Sequence, residues 1–272
     1  MKLFKKVLAG VAVAAALATS AQASVINVGG VSWDPDAILD FNGTSASLTQ
    51  TIDANGGLSG YGVITVINGH GAYNAGSETQ GFCASGCELT IQYGGFTPVG
   101  GAVFPIAGSF GQVVNYSGGY LNIYVDSTPD VSASDPLALT AGNTGTGDGS
   151  VLWLGMTGHE INGVSLAGTN LTLAVGSSFQ GFLSGLGQFD VIGGLAAGNL
   201  NTNTRADGSD LSVSTTFTNL TYANVPTVGL VPVFATGSGT FTGNSIPEPE
   251  SLALVGLGLL GLAASRRRKS VK

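Results

Sequence analysis

Apolar and polar side chains alternate with a period of two in several parts of the chain. Leu89, Ile91 and Tyr93 interleave with Glu88, Thr90 and Gln92; Leu121, Ile123 and Val125 with Asn122, Tyr124 and Asp126; Leu211, Val213 and Phe217 with Ser212, Ser214, Thr216 and Thr218. Strands turn successive side chains to opposite faces, so each run predicts a strand with one buried and one wetted face. Tyr61–Ile67 and Val151–Leu154 are apolar on both sides and predict central strands, with weaker candidates at Leu171–Val175 and Thr240–Thr242. Asn42-Gly43, Asn55-Gly56, Asn68-Gly69, Asp148-Gly149 and Asn162-Gly163 punctuate these runs as turn dipeptides. No stretch between the two ends combines helical periodicity with caps over three turns; Asp36–Phe41 suits a single turn, and Phe182–Leu200 fits either element. Short strands and Gly-rich turns together predict an all-β fold, an antiparallel β-sandwich of jelly-roll-like type. One domain over residues 24–244 is expected, with Thr140–Ser150 as its most flexible loop and only internal boundary.

The two ends have a different grammar. Residues 1–23 combine a basic start (Lys2, Lys5, Lys6), the apolar run Val7–Ala18 and the small-x-small site Ala21-Gln22-Ala23. That order is a secretory signal peptide, with Ser24 as the first mature residue. At the other end, Leu252–Ala264 offers thirteen residues without a polar side chain, followed by Arg266, Arg267, Arg268 and Lys269. As a helix they rise about 20 Å, short of the ~30 Å hydrocarbon core. The segment would enter a bilayer as a short transmembrane helix, with its cations on the cytoplasmic side and the body outside. Pro247 and Pro249 precede it and bias Ile246 and Glu248 toward extended backbone, which presents a stiff peptide to a processing enzyme.

Pro247-Glu248-Pro249, the apolar stretch and the basic terminus resemble the PEP-CTERM sorting signal, over residues 245–272. The resemblance implies recognition by exosortase, a membrane-embedded processing enzyme, after signal peptidase has acted at the other end. It also implies a Gram-negative bacterium that makes exopolysaccharide. Ser32-Trp33-Asp34-Pro35 and Phe82-Cys83…Cys87-Glu88-Leu89-Thr90 are similar to a recurring PEP-CTERM body of floc-forming bacteria. Gly256-Leu-Gly258-Leu-Leu-Gly261 matches a dinucleotide-binding pattern, but the chain stops eleven residues later, without the βαβ unit that the pattern needs.

Composition narrows the function. Charged residues are 9% of the chain, and eight of the nine Lys and Arg lie at the extremities. Between Ser24 and Ile246, fourteen acids stand against Arg205 alone, a balance of −13 that argues against nucleic acid and anionic lipid. A sandwich has edges, and lysine, the usual edge blocker, is missing from this body. Exposed edges could then promote strand-to-strand association in a matrix.

Candidate chemistry is sparse. In an oxidising compartment the pair Cys83 and Cys87 predicts a disulfide. Disulfide Cα atoms lie about 4.4–6.8 Å apart, so Ala84-Ser85-Gly86 must turn. Redox or metal use is disfavoured, because three residues intervene and only His70 and His159 could add imidazole. His159-Glu160 begins a zincin motif, yet Gly163 stands where its second His belongs. Asp34, Asp36 and Asp40, and the pair Asp207 and Asp210, offer oxygen ligands for Ca²⁺; Asx turns and surface acids explain them as well. The expected protein is therefore exported, without catalytic residues or a required cofactor. It would be a cell-surface or matrix protein contributing to biofilm or floc structure with exopolysaccharide. The alternatives are a lectin-like carbohydrate-binding module and a polysaccharide hydrolase built on paired acids.

Overall fold

The computed structural model describes residues 25–35, 40–68, 70–71, 81–83, 86–101, 110–171, 173–175, 178–226 and 229–246. The signal peptide with Ala21 and Ala23, and Ser24 just after its cleavage site, lie outside them, as do Pro247, Glu248, Pro249 and the basic cluster Arg266, Arg267, Arg268 and Lys269.

A short hairpin, β1 (Ile26–Val28) and β2 (Val31–Trp33), precedes the first long strand, β3 (Phe41–Ile52). There follow β4 (Leu58–Ile64), β5 (Val66–Ile67), β6 (His70–Gly71), β7 (Glu88–Pro98), β8 (Phe110–Asp126), β9 (Val151–Gly158) and β10 (Leu166–Leu171). The small pair β11 (Leu173–Val175) and β12 (Ser178–Gln180) leads to β13 (Leu183–Gly193), the single helical turn α1 (Ala197–Leu200), β14 (Leu211–Val225) and β15 (Gly229–Gly243). Hydrogen bonding runs β3-β4-β7-β8-β10-β13-β14-β15 and returns from β15 to β3, closing an eight-stranded antiparallel barrel.

The barrel replaces the expected sandwich. Each long strand pairs with its neighbours in chain order, an up-and-down meander rather than the crossed connections of a jelly roll. Residue pairs from Phe234–Thr51 to Gly243–Phe41 join the last strand to the first long one. Alternation looks the same in both architectures, because each buries one face of every strand. The edge problem disappears with closure: no strand of the ring has an open side, so edge-to-edge matrix association has no template there. The short transmembrane sorting helix was expected at 252–264. No helix among the described residues is long and apolar enough to cross a membrane, and 252–264 lies outside them.

One stave is built from two strands. β10 pairs with residues 110–116 of β8, β9 pairs with residues 120–125, and both also pair with β13. Between them Asn162 and Gly163, at φ +55° and +77°, make the predicted tight turn and push residues 159–165 out of the wall. β8 bends at Gly118 and Gly119; the latter, at φ +88°, leaves room for the Phe96 ring where a side chain would collide. Asn55-Gly56 also turns, whereas Asn42-Gly43 lies inside β3, paired to β15 and β5. The ambiguous Phe182–Leu200 resolves into β13 followed by α1. Thr140–Ser150 joins two strands that pair with each other.

Inside the wall, Phe41, Leu48, Ile91, Ile123, Phe189 and Phe241 are almost fully buried. Each such side chain contributes about 1.5–3 kcal/mol. Outward positions on β3, β14 and β15 carry hydroxyls (Thr44, Ser214, Thr216, Thr240 and Thr242), where a lipid-facing barrel carries an apolar belt. Trp33 from β2 closes one end, packing edge-on to Trp153 at 5.7 Å and Phe41 at 6.0 Å between centroids. The Trp153 indole N–H donates to the Val28 carbonyl at 3.0 Å and fixes the hairpin as a plug.

The closing strand makes the wall sensitive at Gly237, where a Cβ would strike the Thr216 carbonyl and the Phe217 backbone. Gly237→Ala should destabilise the protein by about 1–3 kcal/mol. Gly198→Ala, in open space on α1, should leave stability unchanged or raise it by about 0.4–1 kcal/mol. Thermal melts followed by circular dichroism would compare the two.

Candidate functional site

β15 delivers the chain to a fixed exit. After Gly243, the Asn244 side chain donates to Thr204 Oγ1 at 2.7 Å, and the Ser245 N–H reaches Asp40 Oδ2 at 3.4 Å. The Ile246 N–H then donates to the Asn199 carbonyl at 2.8 Å, while Asn199 Nδ2 donates to the Ile246 carbonyl at 3.0 Å. Asn199 sits on α1, whose start is tied to the barrel by the Ala196 N–H on the Trp153 carbonyl. The last residue before Pro247 is thus clasped to the barrel, and everything beyond Ile246 can be removed without cutting a stave.

This exit shares its end of the barrel with most of the reinforcement. Cys83 and Cys87 are bonded, with Cα atoms 5.2 Å apart. Cys83 bridges to Val31, and the Ser32 N–H donates to the Phe82 carbonyl at 2.8 Å, so the disulfide loop holds the plug hairpin. Asp210, 1% exposed, accepts backbone N–H groups from Val191, Thr202 and Asn203 at 2.6–2.7 Å and anchors the loop beside α1. Asp207 accepts from the Ser209 hydroxyl and backbone N–H, and these bonds lower its pKa. The pair Asp207 and Asp210 therefore does turn-building work, through Oδ1 of Asp207 and both carboxylate oxygens of Asp210. Of the other Ca²⁺ candidates, Asp36 lies outside the described residues; the backbone carbonyls of Asp34 and Asp40 are bound by Asn68 Nδ2.

His159, the start of the broken zincin pattern, donates or accepts at both ring nitrogens. Nδ1 lies 2.8 Å from Asp190 Oδ1, and Nε2 lies 3.0 Å from the Asp207 carbonyl. Glu160 accepts from the Gly118 N–H at 2.9 Å. Both residues are occupied in fastening the 159–165 protrusion.

An acidic group that the sequence did not single out gathers at the same end. Glu88 and Asp126 are direct cross-strand partners on β7 and β8, and Asp148 comes from the loop between β8 and β9. Each offers an oxygen within 4.8 Å of the others. Glu88 is 6% exposed; its Oε2 accepts from the Val131 N–H at 3.2 Å, while Oε1 is buried without a hydrogen-bond partner. Asp148 Oδ1 accepts from the Ser150 N–H at 3.0 Å, and its Oδ2 is likewise buried and unpartnered. Burial, opposed by the Val131 and Asp130 amides and aided by the Asp130 and Asp126 charges, raises the Glu88 pKa to about 7. The signal was present in the alternation, since antiparallel pairing of 88–93 with 121–126 sets Glu88 opposite Asp126.

The barrel's far end is more open. Within the lumen, pockets of about 40 Å³ lie around Gln50, Leu166, Thr215 and Phe217, room for little more than water. At the rim, a groove of about 400 Å³ is lined by Asp53, Asn55, Ser59 and Thr97 beside Leu58 and Phe96.

The raised Glu88 pKa sets a sign for pH dependence. Between pH 4.5 and about 7 the folded chain holds a proton that the unfolded chain releases. This contribution to stability is therefore full below about 4.5 and lost as pH rises through about 7. In metal-free buffer, urea melts of the wild type should show it and Glu88→Gln should flatten it.

A family model, the PEP-CTERM protein-sorting motif, matches residues 245–269. No curated protein and no solved structure matches the chain. The matched residues begin at the clasped exit and hold the whole Pro247-Glu248-Pro249 to Lys269 sequence, so the chain carries a PEP-CTERM sorting motif, which implies processing by exosortase and export to the cell envelope or surface.

Proposed function

We propose that the barrel is a non-catalytic display module of a Gram-negative cell surface or extracellular matrix, contributing to biofilm or floc structure together with exopolysaccharide. The observation that carries this reading is the placement of the chain's ends. Val25 and Ile246, where the described body begins and ends, lie at the plugged end, so a tail leaving there would present that end to the sorting machinery and leave the far end facing away from it. The plug and disulfide suit a protein that must persist outside the cell. A filled lumen and a hydroxyl-rich wall suit hydrated polymer contact better than enclosure of a small substrate.

The rim groove favours a second reading, a carbohydrate-binding module. Carboxylate, amide and hydroxyl groups of Asp53, Asn55, Ser59 and Thr97 can hydrogen-bond sugar hydroxyls. A hydrolase would need two carboxylates facing one cleft. The three acids that converge do so at the other end, mostly buried.

Cells lacking the protein should aggregate poorly, and the added full chain should restore aggregation without releasing reducing ends from the host polymer. Asn55→Ala should leave that restoration intact. A tenfold loss of polymer binding in that variant would establish the lectin reading instead. Reducing-end release abolished by one acid substitution would overturn both in favour of a hydrolase.

A further inference from the structure

We propose that Glu88, Asp126 and Asp148 bind one Ca²⁺ ion, which fastens the 127–150 loop to the plugged end of the barrel. The geometry supplies a cradle of hard oxygens. Two carboxylates stand directly opposite on neighbouring strands, an arrangement that repels itself when both are ionised and that a bound cation would stabilise. The third closes over them from the loop, with every pair of offered oxygens within 4.8 Å. Two buried oxygens, Glu88 Oε1 and Asp148 Oδ2, have no hydrogen-bond partner, and a buried polar atom in that condition is costly.

Among the described residues no Lys or Arg stands there to neutralise the acids. Arg205 is the only Lys or Arg among the described residues, and it lies beside Asp207 in the loop before β14. The donor set chooses the metal. Carboxylates without imidazole or thiolate disfavour zinc and copper, and the two cysteines are bonded to each other. Ca²⁺ tolerates an irregular shell of carboxylate, carbonyl and water oxygens, whereas Mg²⁺ demands near-ideal octahedral geometry and dehydrates reluctantly. Three carboxylates fixed by two strands and a loop, with water completing the shell, suit the more tolerant ion.

The surroundings say what the ion would do. The loop already touches the barrel through the Val131 N–H on Glu88, Thr128 on Asp126, and Thr90 Oγ1 on the Thr144 carbonyl at 2.8 Å. Gln92 Nε2 adds contacts to the Ala141 carbonyl and Thr144 Oγ1, each at 3.3 Å. Ca²⁺ would draw these into one unit next to Cys87. The result is a second staple beside the disulfide.

The test uses the full chain, stripped with EDTA and moved to chelator-free buffer. Calorimetric titration with CaCl₂ should give one site, and Ca²⁺ should slow protease cleavage within 127–150 at least tenfold, with Mg²⁺ weaker. Asp148→Asn and Glu88→Gln should each weaken Ca²⁺ binding at least tenfold and abolish the protection, while Asp34→Asn behaves as wild type. Asp148 is half-buried on the loop, so its variant decides the matter should Glu88→Gln fail to fold. No heat and no protection in the wild type would overturn the site. So would wild-type affinity in the Asp148 variant, or loss of binding in the Asp34 variant.

Discussion

The ladder between β3 and β15 is the constraint on which the rest depends. It joins segments almost two hundred residues apart and converts a meander with two bare edges into a ring with none. Without it, the alternating strands would leave two rows of backbone donors and acceptors open on a body that has no lysine between Ser24 and Ile246 to guard them. Closure also explains the small lumen: an eight-stranded ring is just wide enough for its own side chains to fill. Loop-closure entropy opposes so distant a pairing, and the aromatic interior that closure encloses offsets it.

The ring has two unlike ends. At one, Trp33 plugs the lumen, the Cys83–Cys87 bond holds the plug, α1 clasps Ile246, and the buried acids meet under the 127–150 loop. At the other, tight turns and an open groove face outward. The polarity follows from an even number of antiparallel staves, which brings the start of β3 and the finish of β15 to the same rim. A sorting signal attached there can be cut without disturbing the fold.

How much of this could be read from residues alone depended on how local each feature is. The sorting motif was readable, because such a peptide is recognised by linear order. β7, β8 and β14 were readable because alternation is local, and Asn162-Gly163 because its turn needs only two residues. Asn42-Gly43 misled, since pairing to β15 holds an otherwise turn-prone dipeptide extended. The sandwich expectation failed on long-range facts, the order in which the strands pair and the partner of the last one, which no local pattern encodes. The acidic cluster lay hidden for a related reason. Glu88 and Asp126 looked like ordinary wet-face residues until register set them opposite each other and a loop covered them.

Amide hydrogen exchange along β15 tests closure most directly. In the ring, alternate N–H groups of residues 234–243 bond to β14 and the intervening ones to β3. Consecutive amides should therefore all be slow to exchange. Rapid exchange at every second position, the signature of a strand with one free edge, would contradict the closed barrel.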